Sequence, residues 1–98
     1  MSGKFQAPRG THDVLPSDGT WWGVLRTMEE TVQLYGWRRI QTPGFEDTGL
    51  FERTSGEASD VVHKEMYTFT DRSNRSLTLR PEGTAPIARA YLEHGMHR

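Results

Sequence analysis

Apolar residues at helical spacing constrain the fold of this chain more than any other feature of its sequence. Five of them follow one another at intervals of three or four residues: Trp22, Leu25, Met28, Val32 and Tyr35. Residues at these intervals share one face of an α-helix. Ser17 or Asp18 can cap such a helix at its start, and Gly36 can end it in a left-handed conformation. The pattern predicts a helix over residues 19–35.

A short strand and a hairpin are predicted after this helix. Residues 37–41 have the composition of a strand, which Pro43 would break. Residues 66–70 and 77–80 alternate between apolar and polar side chains on either side of a polar turn at 71–76. Two alternating segments joined by a polar turn are typical of a β-hairpin.

A final helix is predicted after Pro81, which ends the second strand of the hairpin. Thr84 is a good N-cap, and Pro86 is tolerated in a first helical turn. One helical stripe precedes Gly95 and consists of Ile87, Ala90, Tyr91 and His94. Shorter helical segments are predicted at 48–53 and 59–64. These elements together predict an α/β chain of the α+β type, with an antiparallel sheet and flanking helices.

Composition limits the partners of the chain. Its 98 residues, of which 34% are hydrophobic, suffice for a modest core. Twelve basic residues against thirteen acidic ones leave no electrostatic surface that could hold a polyanion unaided. The four histidines have no ligand spacing, and the absence of cysteine excludes a thiolate site, so no metal site is expected.

Composition also bears on the compartment. Without cysteine the chain needs no oxidising environment, and a cytoplasmic location is expected. No apolar run has the length of a secretory signal or of a bilayer-spanning helix, so we expect no membrane association.

The candidate site is the Glu82-Gly83-Thr84 triplet, where the hairpin ends and the final helix begins. A carboxylate there can pair with a ligand ammonium, a hydroxyl can bond to the same group, and glycine allows close approach. Spacing alone favours a structural role, since the helix macrodipole stabilises an acid at this position and Thr84 can be an N-cap. Arg80 could contact a ligand carboxylate or pair with Glu65 across the hairpin.

Four segments resemble histidyl-tRNA synthetases, in the order in which that family has them. They are PRGTHDVLP at 8–16, YGWRRIQTPGFE at 35–46, GEASDVVHKEMYTFTDR at 56–72 and LTLRPEGTA at 77–85. The first resembles the family's amino-terminal signature and the second resembles class II motif 1. The fourth resembles the histidine-recognition segment, and the third resembles the stretch that precedes it. Other class II synthetases that share Leu-Arg-Pro usually continue with residues other than Glu-Gly-Thr.

The resemblance implies an incomplete class II aminoacyl-tRNA synthetase catalytic domain over residues 1–98, without an anticodon-binding domain. Its parts would be an amino-terminal segment at 1–16, the motif 1 helix and strand at 17–46, the hairpin at 65–80, and the recognition segment with its helix at 81–95. By the same resemblance, Glu82 and Thr84 would hold the α-amino group of histidine and Gly83 would line the pocket. Pro43 would be the motif 1 proline at a homodimer interface, and no catalytic residue would lie within the chain.

The implied function is that of a histidine–tRNA ligase, which activates L-histidine with ATP and magnesium and transfers it to histidine tRNA. Motifs 2 and 3 have no counterpart here, so the 98-residue chain is expected to bind neither ATP nor magnesium firmly and to be inactive alone. One alternative is the synthetase-like regulatory subunit of ATP phosphoribosyltransferase, against which the intact Glu-Gly-Thr argues. The other is a ligand-free dimerisation module built on the first helix and the motif 1 strand.

Overall fold

The computed structural model describes residues 3–55 and 65–98. The chain forms two compact units, Met1–Arg39 and Ile40–Arg98. In chain order, the helices and strands of the described residues are α1 (Gly19–Leu34), β1 (Phe45–Asp47), α2 (Thr48–Ser55), β2 (Thr68–Thr70), β3 (Ser76–Leu79) and α3 (Thr84–Glu93). The helical segment predicted at 59–64 lies outside the described residues. No helix in the described ranges is long and apolar enough to cross a membrane.

The first unit is built on α1, which confirms the predicted helix. Asp18 is its N-cap residue, but the Asp18 carboxylate accepts a hydrogen bond of 2.7 Å from the Leu15 N–H and not from the first helical turn. The Trp22 indole N–H donates to the Leu15 carbonyl at 2.8 Å, and the Trp21 ring meets His12 edge-on. These contacts hold the amino-terminal segment against the start of α1. The apolar stripe itself is exposed, since no residue of α1 is buried.

Both long helices end in a Schellman motif, in which a glycine adopts a left-handed conformation and the last carbonyls are satisfied. At the end of α1, Gly36 has a φ of 83° and its N–H donates to the Gln33 carbonyl, while the Trp37 N–H donates to Val32. The end of α3 repeats this arrangement around Gly95, with a φ of 61°. The two glycines therefore stand where the sequence predicted the helices to end.

The strand predicted at residues 37–41 is wrong, since the structure has no regular element there and the first strand is Phe45–Asp47. A strand requires a neighbouring backbone with which to pair, and Pro43 has no N–H to offer. Pairing begins only at the next residue, where the Arg80 N–H donates to the Gly44 carbonyl at 3.0 Å.

The second unit contains a three-stranded antiparallel sheet of order β1-β3-β2, which confirms the predicted antiparallel sheet and hairpin. Thr78 of β3 lies opposite Glu46 of β1 and Thr68 of β2. The hairpin turn is closed by Asp71, whose carboxylate accepts the N–H groups of Ser73 and Arg75. The Arg75 N–H is the largest cause of a lowered pKa at Asp71.

The burial of the two faces of the sheet is the reverse of what side-chain polarity alone would suggest. The face that carries Thr78 is covered, with Thr78 fully buried and Glu46 only 9% exposed. On the opposite face Phe45, Phe69 and Leu79 are between 42% and 48% exposed. Alternation in the sequence correctly assigned the hairpin residues to two faces. It did not reveal that the face with the polar residues is the one that packs against the core.

A chain of hydroxyl groups joins α2 to the sheet on the covered face. Thr48 at the start of α2 bonds to Ser76 at 2.7 Å and to Thr78 at 2.8 Å, and Thr78 bonds to Thr68 at 3.0 Å. Every buried side-chain polar atom of the described residues has a hydrogen-bond partner. The polar interior is therefore satisfied, as burial of hydroxyl groups requires.

The apolar core of the second unit is small. Phe51 of α2 is 1% exposed, and α2 packs against α3. The buried residues of α3 are small: Ala85, Pro86 and Ala90. This packing confirms Pro86 in the first turn of a helix and Ala90 on its inner face.

Candidate functional site

The carboxylate of Glu82 organises the junction between β3 and α3. Its Oε2 atom accepts the Thr84 N–H at 2.6 Å and its Oε1 atom accepts the Ala85 N–H at 3.0 Å. Two of the N–H groups that a helix start leaves without partners are thereby satisfied. The predicted capping role of Thr84 is wrong. Thr84 is already the first helical residue, Gly83 occupies the N-cap position, and the longer side chain of Glu82 reaches forward to make the bonds.

The ionisation of Glu82 is favoured by the same contacts. The Ala85 N–H is the largest cause of a pKa below the usual 4.5, partial burial opposes it, and the Thr84 N–H and side chain add to it. An ionised carboxylate has about four acceptor positions, of which the cap uses two and the Thr84 hydroxyl can use one. Because the side chain is exposed, the remaining positions are open to a cationic ligand.

This cap predicts a pH dependence of stability. A carboxyl whose folded-state pKa is lowered contributes stability above its unfolded pKa and loses it as the pH falls through the folded value. The stability difference between the wild-type chain and Glu82→Gln should be constant near neutral pH and shrink below about 4.5. Urea denaturation followed by circular dichroism at several pH values measures this difference. A difference that grows on acidification would contradict the cap.

Gly83 is not required by the fold. Its φ of −100° and ψ of −15° suit any residue, and a Cβ atom built there meets nothing within 4 Å. Gly36 and Gly95 differ, because their positive φ disfavours other residues. Space beside the Gly83 backbone is thus available for a ligand.

Arg80 has a structural contact that the sequence did not predict. Its Nη1 atom donates to the Thr42 carbonyl at 3.2 Å and to the Thr42 hydroxyl at 3.1 Å. With the backbone bond to Gly44, Arg80 is tied to both neighbours of Pro43. The pairing with Glu65 is not among the ion pairs of the described residues.

An ion cluster that sequence reasoning missed lies on α3 and β1. Arg89 donates from Nη2 to Glu46 Oε2 at 2.7 Å, from Nε to Glu46 Oε1 at 3.1 Å, and from Nη1 to Glu93 at 2.8 Å. The hydrogen bond to Glu46 is the largest cause of a raised pKa at Arg89. The four-residue spacing of Arg89 and Glu93 could have predicted their ion pair on a helix. The pairing with Glu46 could not be predicted in this way, because Glu46 is 43 residues distant in sequence.

No metal centre is visible in the described ranges, where no three carboxylate or imidazole groups lie close enough together to hold an ion.

Comparison with solved structures first identifies the class of protein to which the chain belongs, the aminoacyl-tRNA synthetases. The apo histidyl-tRNA synthetase of S. aureus superposes with a TM-score of 0.75 and 44% identity, over 95% of this chain and 21% of that one. A family model described as histidyl-tRNA synthetase matches residues 10–98. The chain therefore belongs to the histidyl-tRNA synthetase family.

Further relatives locate the chain within that family. A histidine–tRNA ligase of Dehalococcoides mccartyi is 59% identical over 93 residues, which are 94% of this chain and 22% of the relative. A Bacillus halodurans protein described as an ATP phosphoribosyltransferase regulatory subunit/histidyl-tRNA synthetase also has a TM-score of 0.75, but only 28% identity, over 100% of this chain and 25% of that one. Sequence identity thus favours the ligase over the regulatory subunit. The chain spans about a fifth of the length of the curated relatives it matches.

Proposed function

We propose that this chain supplies the amino-acid recognition corner of a histidine–tRNA ligase. Glu82 and Thr84 bind the α-ammonium group of L-histidine, and the ligand lies against the backbone of Gly83. The observation that carries the proposal is the exposed Glu82 carboxylate, which is fixed by two backbone N–H groups that also lower its pKa. An anion held in a fixed position, with open acceptor positions, binds a cation better than a mobile anion does.

The contribution of these residues to the reaction is binding and orientation. In the proposed ligase, the histidine carboxylate attacks the α-phosphate of ATP and displaces pyrophosphate, and the histidyl group then passes from the resulting adenylate to histidine tRNA with release of AMP. Holding the ammonium at Glu82 aims the carboxylate, and correct orientation of a reactant lowers the entropic part of the barrier. A cytoplasmic homodimer with Pro43 at its interface belongs to the same proposal and is supported by family membership.

Isothermal titration of three ligands into the purified chain tests this proposal. Histidine and histamine carry the amino group, whereas imidazolepropionate lacks it. A hydrogen bond between charged groups contributes about 1.5–3 kcal/mol, so imidazolepropionate should bind at least about tenfold more weakly than histidine. Circular dichroism confirms that the chain is folded. A folded chain that binds none of the ligands, as expected of a ligand-free dimerisation module, would overturn the proposal, as would equal affinity for histidine and imidazolepropionate.

Substitution of Gly83 distinguishes an effect on histidine binding from an effect on stability. Gly83→Ala should change the thermal midpoint little. The added methyl group meets no protein atom within 4 Å, and the stabilisation from a lower entropy of the unfolded chain is offset by the poorer N-cap propensity of alanine. Histidine affinity should fall severalfold, since the methyl group occupies space assigned to the ligand. Differential scanning calorimetry and titration measure the two effects. Undiminished histidine affinity would show that the ligand does not approach this backbone.

A further inference from the structure

The pair of Arg89 and Glu46 connects the helix that begins at the candidate site to the first strand of the sheet. Two roughly parallel N–H to oxygen bonds join the guanidinium to the carboxylate. The Glu46 side chain is 8% exposed and that of Arg89 is 28% exposed, so the pair is largely shielded from water. A bidentate arginine–carboxylate contact fixes direction as well as distance.

The other end of the same junction is fixed to the same part of the chain. Arg80, directly after β3, bonds to Thr42 and Gly44, just before β1. Thr78 of β3 pairs with Glu46 itself in the sheet register. Residues 81–84 are therefore held between two anchors, Arg80 on the strand side and Arg89 on the helix side. Both anchors attach to residues 42–46.

We propose that Arg89, acting through Glu46, is a positioning residue that sets Glu82 and Thr84 for the ligand ammonium. The inference rests on the proposed function. Arg89 does not contact the ligand; it fixes the direction of α3, whose first residues bear the recognition groups. Lysine cannot replace it, because a single ammonium does not form the two parallel bonds that hold the helix direction.

The test compares Arg89→Lys with Glu93→Gln in the full chain. Glu93→Gln is the matched control, because it removes the charge of the exposed partner of the same guanidinium, keeps an oxygen that can accept its N–H, and leaves both bonds to Glu46. The readout is the ratio of histidine affinity to imidazolepropionate affinity. Partial unfolding lowers both affinities equally and cancels in this ratio. Arg89→Lys should reduce the ratio about tenfold, since a displaced Glu82 carboxylate loses a charged hydrogen bond to the ammonium that contributes about 1.5 kcal/mol or more. Glu93→Gln should not change the ratio.

Two further measurements decide between possible outcomes. In a Glu82→Gln background, Arg89→Lys should reduce the ratio no further, because residues that act through one contact are not additive. NMR amide shifts of Gly83 and Thr84 should move in Arg89→Lys and in Glu46→Gln, so that a result is obtained even if one of the two variants fails to fold.

Unmoved amide shifts, an unchanged ratio or additive effects would overturn the positioning role. A wild-type chain that binds no histidine would overturn the proposed function, and the amide shifts would still report whether the pair holds the junction.

Discussion

Replacing Glu82 by glutamine is expected to weaken histidine binding by a factor of about ten to one hundred. The amide keeps an oxygen that can accept an N–H at the start of α3, but it loses the negative charge that pairs with the ammonium. Hydrogen bonds between charged groups contribute about 1.5–3 kcal/mol, which corresponds to this range of affinity. Titration calorimetry measures the effect. Affinity for imidazolepropionate should change little, because that ligand has no ammonium.

The matched control for this substitution is Glu30→Gln, which removes the same charge from an exposed position on α1. Histidine affinity should remain at the wild-type value in this variant. Equal losses in the two variants would mean that only the net charge of the chain matters. Unaltered binding in Glu82→Gln would assign the carboxylate to the helix cap alone, where it contributes about 1 kcal/mol or less to stability.

Replacing Phe51 by alanine is expected to destabilise the second unit by about 3–4 kcal/mol. Phe51 is 1% exposed, and α2 packs against α3, whose buried residues have small side chains that cannot expand into an emptied space. Such a loss is a large part of the stability of a domain of this size, so the unfolding transition should move to a clearly lower urea concentration. Urea denaturation followed by circular dichroism measures the change.

Phe5 provides the control for Phe51 because it is the same residue type at 94% exposure. Phe5→Ala should change the free energy of unfolding by less than about 0.5 kcal/mol. Similar losses in the two variants would contradict the assignment of Phe51 to the core. A cooperative transition at lower urea concentration in Phe51→Ala alone would support it.

Local patterns in the sequence were sufficient for the helices and the hairpin. The stripe before Gly36 and the alternation around residues 71–76 depend on neighbours a few positions apart, and both predictions are confirmed. The strand predicted at 37–41 failed because a strand depends on a partner that composition does not specify. Thr84 failed as a cap because Glu82, two residues earlier, reaches the same N–H groups.

The candidate site was located by sequence, but its supports were not. The order of strand, proline and helix placed Glu82 and Gly83 at a junction, and the structure has them there. The Arg89–Glu46 pair and the Arg80–Thr42 bonds link residues about 40 positions apart and follow no periodicity. The covered face of the sheet was also hidden, because period-two alternation groups residues without stating which group faces the core. The ligand itself was suggested by resemblance and not by spacing.

The hydroxyl chain beneath the sheet has a consequence for how its residues can vary. Four hydroxyl protons serve three oxygen-to-oxygen links, from Ser76 through Thr48 and Thr78 to Thr68. The donors can all point one way along the chain or all the other way, and in both arrangements the surplus proton lies at an exposed end. The two buried threonines are satisfied in either direction, so neither direction is imposed. Substitution at one of the four positions therefore affects the others, because a break at one link leaves a neighbouring hydroxyl without its buried partner.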